Sequence, residues 1–188
     1  TKKIAIILAV ILVCAALGAA GCRKTGKEAS QPAAGQNARL RVAVSIVPQA
    51  TFAQAVGGDR VEVLTMIPPG ASPENYAPTP QAMEQLSQSR IYFSIGVPAE
   101  KNGILPRLQQ INAQMKVVDM AARVDQVYPA REFSEGEKDP HRWLSPRRAA
   151  EMVKCIAEEL AALDPDNAGV YRKNAADYQS QLEQLDAE

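Results

Sequence analysis

The residue with the clearest capacity for chemistry is His141, the one histidine among the 188 residues. It lies in the segment 139–146, which reads Asp-Pro-His-Arg-Trp-Leu-Ser-Pro. A neutral imidazole binds zinc or manganese well through one ring nitrogen, and its other nitrogen can donate to a nearby acceptor. A single loop histidine is also commonly a solvated or structural side chain. The residue types alone therefore leave both roles open.

A second candidate ligand is Glu74, which lies in a proline-rich loop from Pro68 to Pro80. Its carboxylate could supply an anionic oxygen to a divalent ion. Glutamates in loops are usually solvated, and that alternative stays open for Glu74. Three further carboxylates, Glu132, Glu135 and Glu137, are expected to be solvated, with weak collection of ions as the alternative.

Motifs of catalysis are missing from the sequence. It contains no Gly-x-Ser-x-Gly, no His-Glu-x-x-His and no glycine-rich phosphate loop. An exposed histidine near carboxylates could in principle perform acid-base chemistry, which leaves an enzyme as a rival hypothesis. The 21 basic residues balance the 21 acidic ones without a basic stripe, so nucleic acid is not an expected partner. We expect a protein that captures a ligand and is not an enzyme.

The amino terminus has the pattern of an export signal. Two lysines precede an apolar run from Ile4 to Leu17, and small residues then lead to Cys22. The run is shorter than a membrane-spanning helix requires, although a buried helix or true span is the alternative. Because Cys22 follows Ala-Ala-Gly, the segment resembles a bacterial lipoprotein box. We predict a signal peptide over residues 1–21, a lipid anchor on Cys22 and a flexible tether over residues 22–39.

The predicted location is therefore outside the cytoplasm, with the protein held at the bacterial cell membrane by its lipid. Cys14 leaves with the signal and Cys22 carries the lipid, so Cys155 is the one remaining thiol. We expect Cys155 to be a small packed side chain beside an apolar helix stripe.

The elements that must position these residues alternate along the chain. Apolar strands are predicted up to Val47, over residues 61–67 and 91–95, and over residues 116–119, with short helices between them. This alternation favours a parallel four-stranded sheet flanked by helices. Residues 120–141 are expected to be irregular. In such a sheet ligands bind beyond the carboxyl ends of the strands, where both candidate loops lie.

Two longer helices close the chain. Thr79-Pro80 and Ser145-Pro146 each combine a capping hydroxyl with a proline at the first helical position. The second pair opens a helix with an apolar stripe, and a further helix starts near Asp164. Its stripe continues to Glu188 without a closing glycine or a basic last turn, so we expect the chain to be cut within a helix, a frayed natural terminus being the alternative.

The loop with Tyr76, Pro78, Thr79 and Pro80, the Asp-Pro-His-x-Trp-Leu element and the strand-helix order between them resemble the metal-binding lipoproteins of ABC importers. This resemblance implies two α/β lobes joined by a long helix, with metal held between them. Residues 40–163 would be the N-terminal metal-binding lobe. Residues 164–188 would begin the connecting helix, with the second lobe absent.

The resemblance also implies the function. His141 would be a metal ligand, and Glu74 occupies the position where family members usually have a second histidine. The cargo would be zinc, or manganese next, delivered to a permease and ATPase pair. The alternative is a surface adhesin or interaction lipoprotein that shares the fold without transport.

Overall fold

Four parallel strands organise the residues that the computed structural model describes, 39–188. The strands are β1 (Leu40–Val44), β2 (Val61–Thr65), β3 (Ile91–Ser94) and β4 (Lys116–Asp119), and they lie in the order β2-β1-β3-β4. The predicted parallel four-stranded sheet is confirmed. The predicted signal peptide, the Cys22 anchor and the tether up to residue 38 lie outside the described residues.

Helices follow the strands along the chain. They are α1 (Val47–Gly57), α2 (Pro80–Ser87), α3 (Leu108–Ile111), α4 (Met120–Asp125), α5 (Pro146–Leu163) and α6 (Ala168–Asp186). A π-helical turn, Glu100–Ile104, precedes α3. Within residues 39–188 none of the helices combines the length and apolarity needed to cross a membrane.

Both faces of the sheet are buried at its central strands. Side chains alternate between the two faces along each of these strands. Val42, Val44 and Phe93 face a core formed with α1, α4, α5 and α6. Ala43 and Tyr92 face a second core formed with α2 and the segment 100–111. β1 therefore needs a continuous apolar run, as central parallel strands do. Cys155 is buried in the first core, as expected, and burial raises the pKa of its thiol to about 11.

The predicted end of β1 and the predicted irregular segment were wrong. β1 ends at Val44, and Val47 already begins α1, because the Gln49 side-chain oxygen accepts the backbone N–H groups of Ser45 and Ile46 and turns the chain there. The segment 120–141, expected to be irregular, contains α4 and a hairpin of β5 (Glu132–Ser134) and β6 (Glu137–Lys138). α4 forms because the carboxylate of Asp119 caps it, accepting from the Ala122 N–H at 2.9 Å.

The two predicted helix starts differ in detail. Thr79 caps α2 through its hydroxyl, which accepts from the Ala82 N–H at 3.1 Å. Ser145 occupies the corresponding position before α5, but its hydroxyl makes no capping hydrogen bond. The final helix α6 extends to Asp186 and packs against α1 and α5.

Candidate metal-binding site

His141 and Asp139 form a local pair at the start of the loop that leads into α5. Asp139 Oδ1 accepts the backbone N–H of His141 at 2.9 Å and lies 2.8 Å from the Nδ1 atom of its imidazole. The backbone hydrogen bond, reinforced by the imidazole, lowers the pKa of Asp139. A carboxylate accepts hydrogen bonds, so its contact with the ring favours the tautomer that carries a proton on Nδ1. The lone pair of Nε2 is then free to bind a metal.

The imidazole is framed by aromatic side chains and remains accessible. The centroid of the Trp143 ring lies 5.2 Å from that of the His141 ring. The ring centroid of Phe133, on the β5-β6 hairpin, lies 6.4 Å from that of His141. The His141 side chain is 42% exposed. A cavity of about 140 Å³ opens beside it, lined also by Asp139, Leu144 and Ser145. A small ion could therefore reach the ring.

Arg142, the residue after the histidine, fastens this loop to the body of the fold. Its guanidinium donates to both carboxylate oxygens of Asp125 at the end of α4, each at 2.7 Å. It also donates to the backbone carbonyl of Asp139 at 3.2 Å. These guanidinium hydrogen bonds lower the pKa of Asp125. The charge pair thus links α4 to the turn that carries the histidine.

Glu74 is exposed in the loop after β2 and is not one of the residues that line this cavity. The loop is held by its backbone, since the Ala99 N–H donates to the carbonyl of Pro73 at 2.9 Å. Among residues 39–188 no hydrogen bond or ion pair involves the Glu74 carboxylate. The structure brings His141 and Asp139 together beside the cavity. Glu74 does not line this cavity, and its role as a ligand stays a prediction.

The described residues supply only part of a coordination shell. Between residues 39 and 188 no three side chains of His, Cys, Asp or Glu lie close enough together to hold a metal ion. Glu132 and Glu137 are exposed on the hairpin, as is Glu135 at its turn, in agreement with the expected solvation.

Sequence reasoning missed two features near the carboxyl ends of the strands. One is the Arg142–Asp125 pair, since nothing in the local pattern connects two residues on different elements. The other is Glu100, which is fully buried and accepts backbone N–H groups from Ile95, Gly96 and Val97. Its position just after β3 was the available signal, because this edge of the sheet is where polar groups concentrate.

The chain is similar to known proteins in sequence and in fold. Residues 42–188 match the sequence profile of the ZnuA family, described as zinc-uptake complex component A, periplasmic. A crystal structure of ZnuA superposes with a TM-score of 0.72 at 38% identity, covering 79% of this chain and 56% of that one.

Two lipoproteins from streptococci are similar along the whole sequence. The manganese ABC transporter substrate-binding lipoprotein PsaA of Streptococcus pneumoniae is 31% identical over 193 residues, which is 100% of this chain and 60% of the relative. The iron ABC transporter substrate-binding lipoprotein MtsA of Streptococcus pyogenes serotype M6 is 29% identical over 192 residues, again 100% of this chain and 60% of the relative. The chain thus spans about three fifths of the length of these relatives.

The resemblance inferred from the two loops is confirmed, because the profile spans both of them and the ZnuA structure shares the sheet that carries them. The chain belongs to the ZnuA family of metal ABC transporter substrate-binding proteins.

Proposed function

We propose that the protein is an extracytoplasmic receptor that captures a divalent transition metal for an ABC-type importer. The observation that carries this proposal is the geometry of His141. Its Nδ1 is engaged by Asp139 at 2.8 Å, while the side chain remains 42% exposed beside a small cavity. A carboxylate that orients an imidazole in this way is the usual partner of a metal-binding histidine.

The cargo we propose is zinc first and manganese second. Imidazole nitrogen suits zinc, and a given set of nitrogen and oxygen ligands generally holds zinc more tightly than manganese. Relatives are named for zinc, manganese and iron, so the common scaffold accommodates more than one metal. We propose Glu74 as a second ligand. An oxygen ligand there would favour harder ions such as manganese more than a second histidine would.

Partners and location follow from the same proposal. The receptor would hand its metal to a permease and an ATPase, as the names of the relatives imply for those proteins. Lipid on Cys22 would hold it at the bacterial cell membrane, outside the cytoplasm. These assignments rest on the sequence pattern of residues 1–22 and on similarity to named lipoproteins.

A binding role is favoured over catalysis by what surrounds the histidine. Ser145 lines the same cavity, yet no hydrogen bond joins its hydroxyl to His141 among the described residues. An activated serine needs that contact with its base. We therefore propose that His141 serves as a ligand and that the protein is not an enzyme.

The test is calorimetric titration of zinc and of manganese, with a competing chelator, into the full chain kept in mild detergent and carrying no histidine tag. His141→Ala should abolish measurable binding. Glu74→Ala should weaken binding about tenfold or more, equivalent to about 1.4 kcal/mol. Glu84→Ala, an exposed glutamate on α2, is the matched control and should bind like the parent chain.

Two results would contradict the proposal. Binding that survives in the His141 variant would remove the histidine from the site. If neither metal binds to this chain or to one carrying a second lobe, the metal receptor is ruled out in favour of the interaction lipoprotein. If binding depends on His141 but not on Glu74, the second ligand must be sought elsewhere.

A further inference from the structure

We propose that the Arg142–Asp125 pair positions His141 for metal capture, by fixing the turn 139–142 so that the imidazole presents Nε2 outward. This inference rests on the proposed metal-binding role of His141. It assigns Arg142 and Asp125 as positioning residues, which touch no metal and act through the backbone that holds the ligand.

The guanidinium of Arg142 and the carboxylate of Asp125 meet at two points. Arg142 Nε and Nη2 each donate to a separate oxygen of Asp125 at 2.7 Å. Such a two-point contact, which we call the Arg142–Asp125 fork, fixes the plane of the guanidinium as well as its distance from the carboxylate. A single hydrogen bond cannot do this. Asp125 lies at the end of α4. Two other residues of this helix, Met120 and Val124, are buried in the first core. The anchor of the pair is therefore rigid.

The side chain of Arg142 is also buried. Arg142 is 7% exposed, whereas most arginines extend into solvent. Burying a guanidinium and a carboxylate costs desolvation energy, and a pair of this kind often stabilises a protein no more than apolar residues would. Its contribution is better sought in the conformation it imposes. Arg142 directly follows His141, so its pair with Asp125 fixes the conformation of the turn 139–142.

Hydrogen bonds connect the guanidinium of Arg142 to the imidazole of His141. The remaining amino group of Arg142, Nη1, donates to the carbonyl of Asp139 at 3.2 Å, and the Arg142 N–H donates to the carbonyl of Pro140 at 2.8 Å. Asp139 in turn accepts from both the backbone and the ring of His141. A chain of hydrogen bonds thus runs from Asp125 on α4 through Arg142 and Asp139 to the ring, and it ends on Nδ1. Loss of the fork would free the turn and allow the ring to rotate or exchange its proton.

The chain offers an unusually direct test, because His141 is its one histidine and every imidazole signal comes from it. The full untagged chain is labelled with ¹⁵N-histidine in mild detergent and studied without metal at about pH 8.5, roughly two units above the ordinary imidazole pKa. Long-range ¹H-¹⁵N spectra then report which ring nitrogen carries the proton. In the parent chain we expect the Nδ1–H tautomer to predominate.

Arg142→Ala and Asp125→Asn should each shift the ring toward a mixture with the Nε2–H tautomer. Asp125→Asn keeps the side-chain size, so the test remains available if Arg142→Ala unfolds. Arg123→Ala is the matched control. Like Asp125, Arg123 is on α4, and like Arg142 it pairs with a carboxylate, that of Glu158 at 2.7 Å, but it makes no hydrogen bond to the turn. The control should retain the parent spectrum.

Zinc titration of the same variants provides the second readout. Partners of a metal-binding histidine typically contribute about 10- to 100-fold in affinity, and we expect a loss in that range for Arg142→Ala and Asp125→Asn. The double variant should lose no more than either single one, because both break the same fork.

The two hypotheses fail in different ways. If both fork variants are folded and keep the parent tautomer, or if Arg123→Ala changes it equally, the positioning role is overturned. If the tautomer responds as expected but no chain binds zinc, the positioning geometry stands and the proposed metal receptor fails. Additive losses of zinc affinity in the double variant would also count against a shared fork.

Discussion

At the scale of single residues, Glu100 is the most unusual titratable group of the fold. Its carboxylate is fully buried just after β3 and accepts backbone N–H groups of three consecutive residues. Ser45 and Tyr92 add hydroxyl contacts. Burial raises the pKa of Glu100, although the N–H donors oppose this effect. The carboxylate thereby closes the crevice between β1 and β3, where doubly wound sheets commonly bind ligands.

A raised pKa in the folded state has a definite consequence for stability. Its contribution is fully present below the ordinary glutamate value and is lost as the pH rises through the folded value. Glu100→Gln should lower the free energy of unfolding by about 1–3 kcal/mol, because its amide nitrogen meets backbone donors. This difference from the parent chain should shrink as the pH rises. Urea unfolding of both chains across acidic and neutral pH measures it.

Because the lowered pKa values of Asp125 and Asp139 have the opposite pH dependence, only the difference between the parent chain and the Glu100→Gln variant isolates Glu100. Glu84→Gln on exposed α2 is the control and should show no pH-dependent difference. A Glu100→Gln difference that grows with pH would contradict the argument.

At the scale of elements, the β5-β6 hairpin and the helices differ in what they contribute. Residues 131–138 are all exposed, and Phe133 is 65% exposed despite its contact with the ring of His141. The hairpin therefore covers one side of the candidate ligand without joining the core. Arg148 of α5 holds the segment that precedes the hairpin. Its guanidinium donates to the backbone carbonyls of Tyr128 and Pro129 at 2.9 and 2.6 Å.

Replacement of residues 132–138 by a Gly-Ser linker of equal length should change the free energy of unfolding by only about 0.5 kcal/mol, because little apolar surface is lost. Thermal and urea unfolding measure this effect. Phe133→Ser is the single-residue comparison and should behave likewise. A destabilisation of several kcal/mol would mean that the hairpin is part of the folded core.

At the scale of the whole molecule, two cores share one sheet. Leu160 of α5 lies in the core on one face and Leu86 of α2 in the core on the other, and both are fully buried. β1 contributes side chains to both faces, so neither core can form without ordering the strand that serves the other. The described residues, 39–188, lie within one compact unit, in agreement with this coupling.

Cooperative unfolding should follow from the shared sheet. Leu160→Ala and Leu86→Ala should each lower the free energy of unfolding by about 2–5 kcal/mol, and each should shift one common transition. Circular dichroism and the fluorescence of Trp143, on the side of the first core, should report the same midpoint. Leu185→Ala, at an exposed position on α6, is the control and should have little effect. Separate midpoints for the two probes would contradict the coupling.

Local patterns in the sequence were sufficient to determine much of this protein. Alternation of apolar strands with helices predicted the parallel sheet, and Thr79 before Pro80 predicted the start of α2. The Asp-Pro-His-x-Trp-Leu element identified the family and the candidate ligand. These inferences succeed because secondary-structure periodicity, capping and short motifs depend on residues only a few positions apart.

What tertiary structure alone decided involves residues distant in the chain. Arg142 selects Asp125, which is 17 positions away, and Ser45 contacts Glu100, which is 55 positions away. No local pattern distinguishes these carboxylates from solvated ones such as Glu84. Packing of α4 and the π-helical turn against the ends of the strands decides which charges are buried and paired. That packing places His141 beside its cavity and buries Glu100, while Glu74 stays exposed.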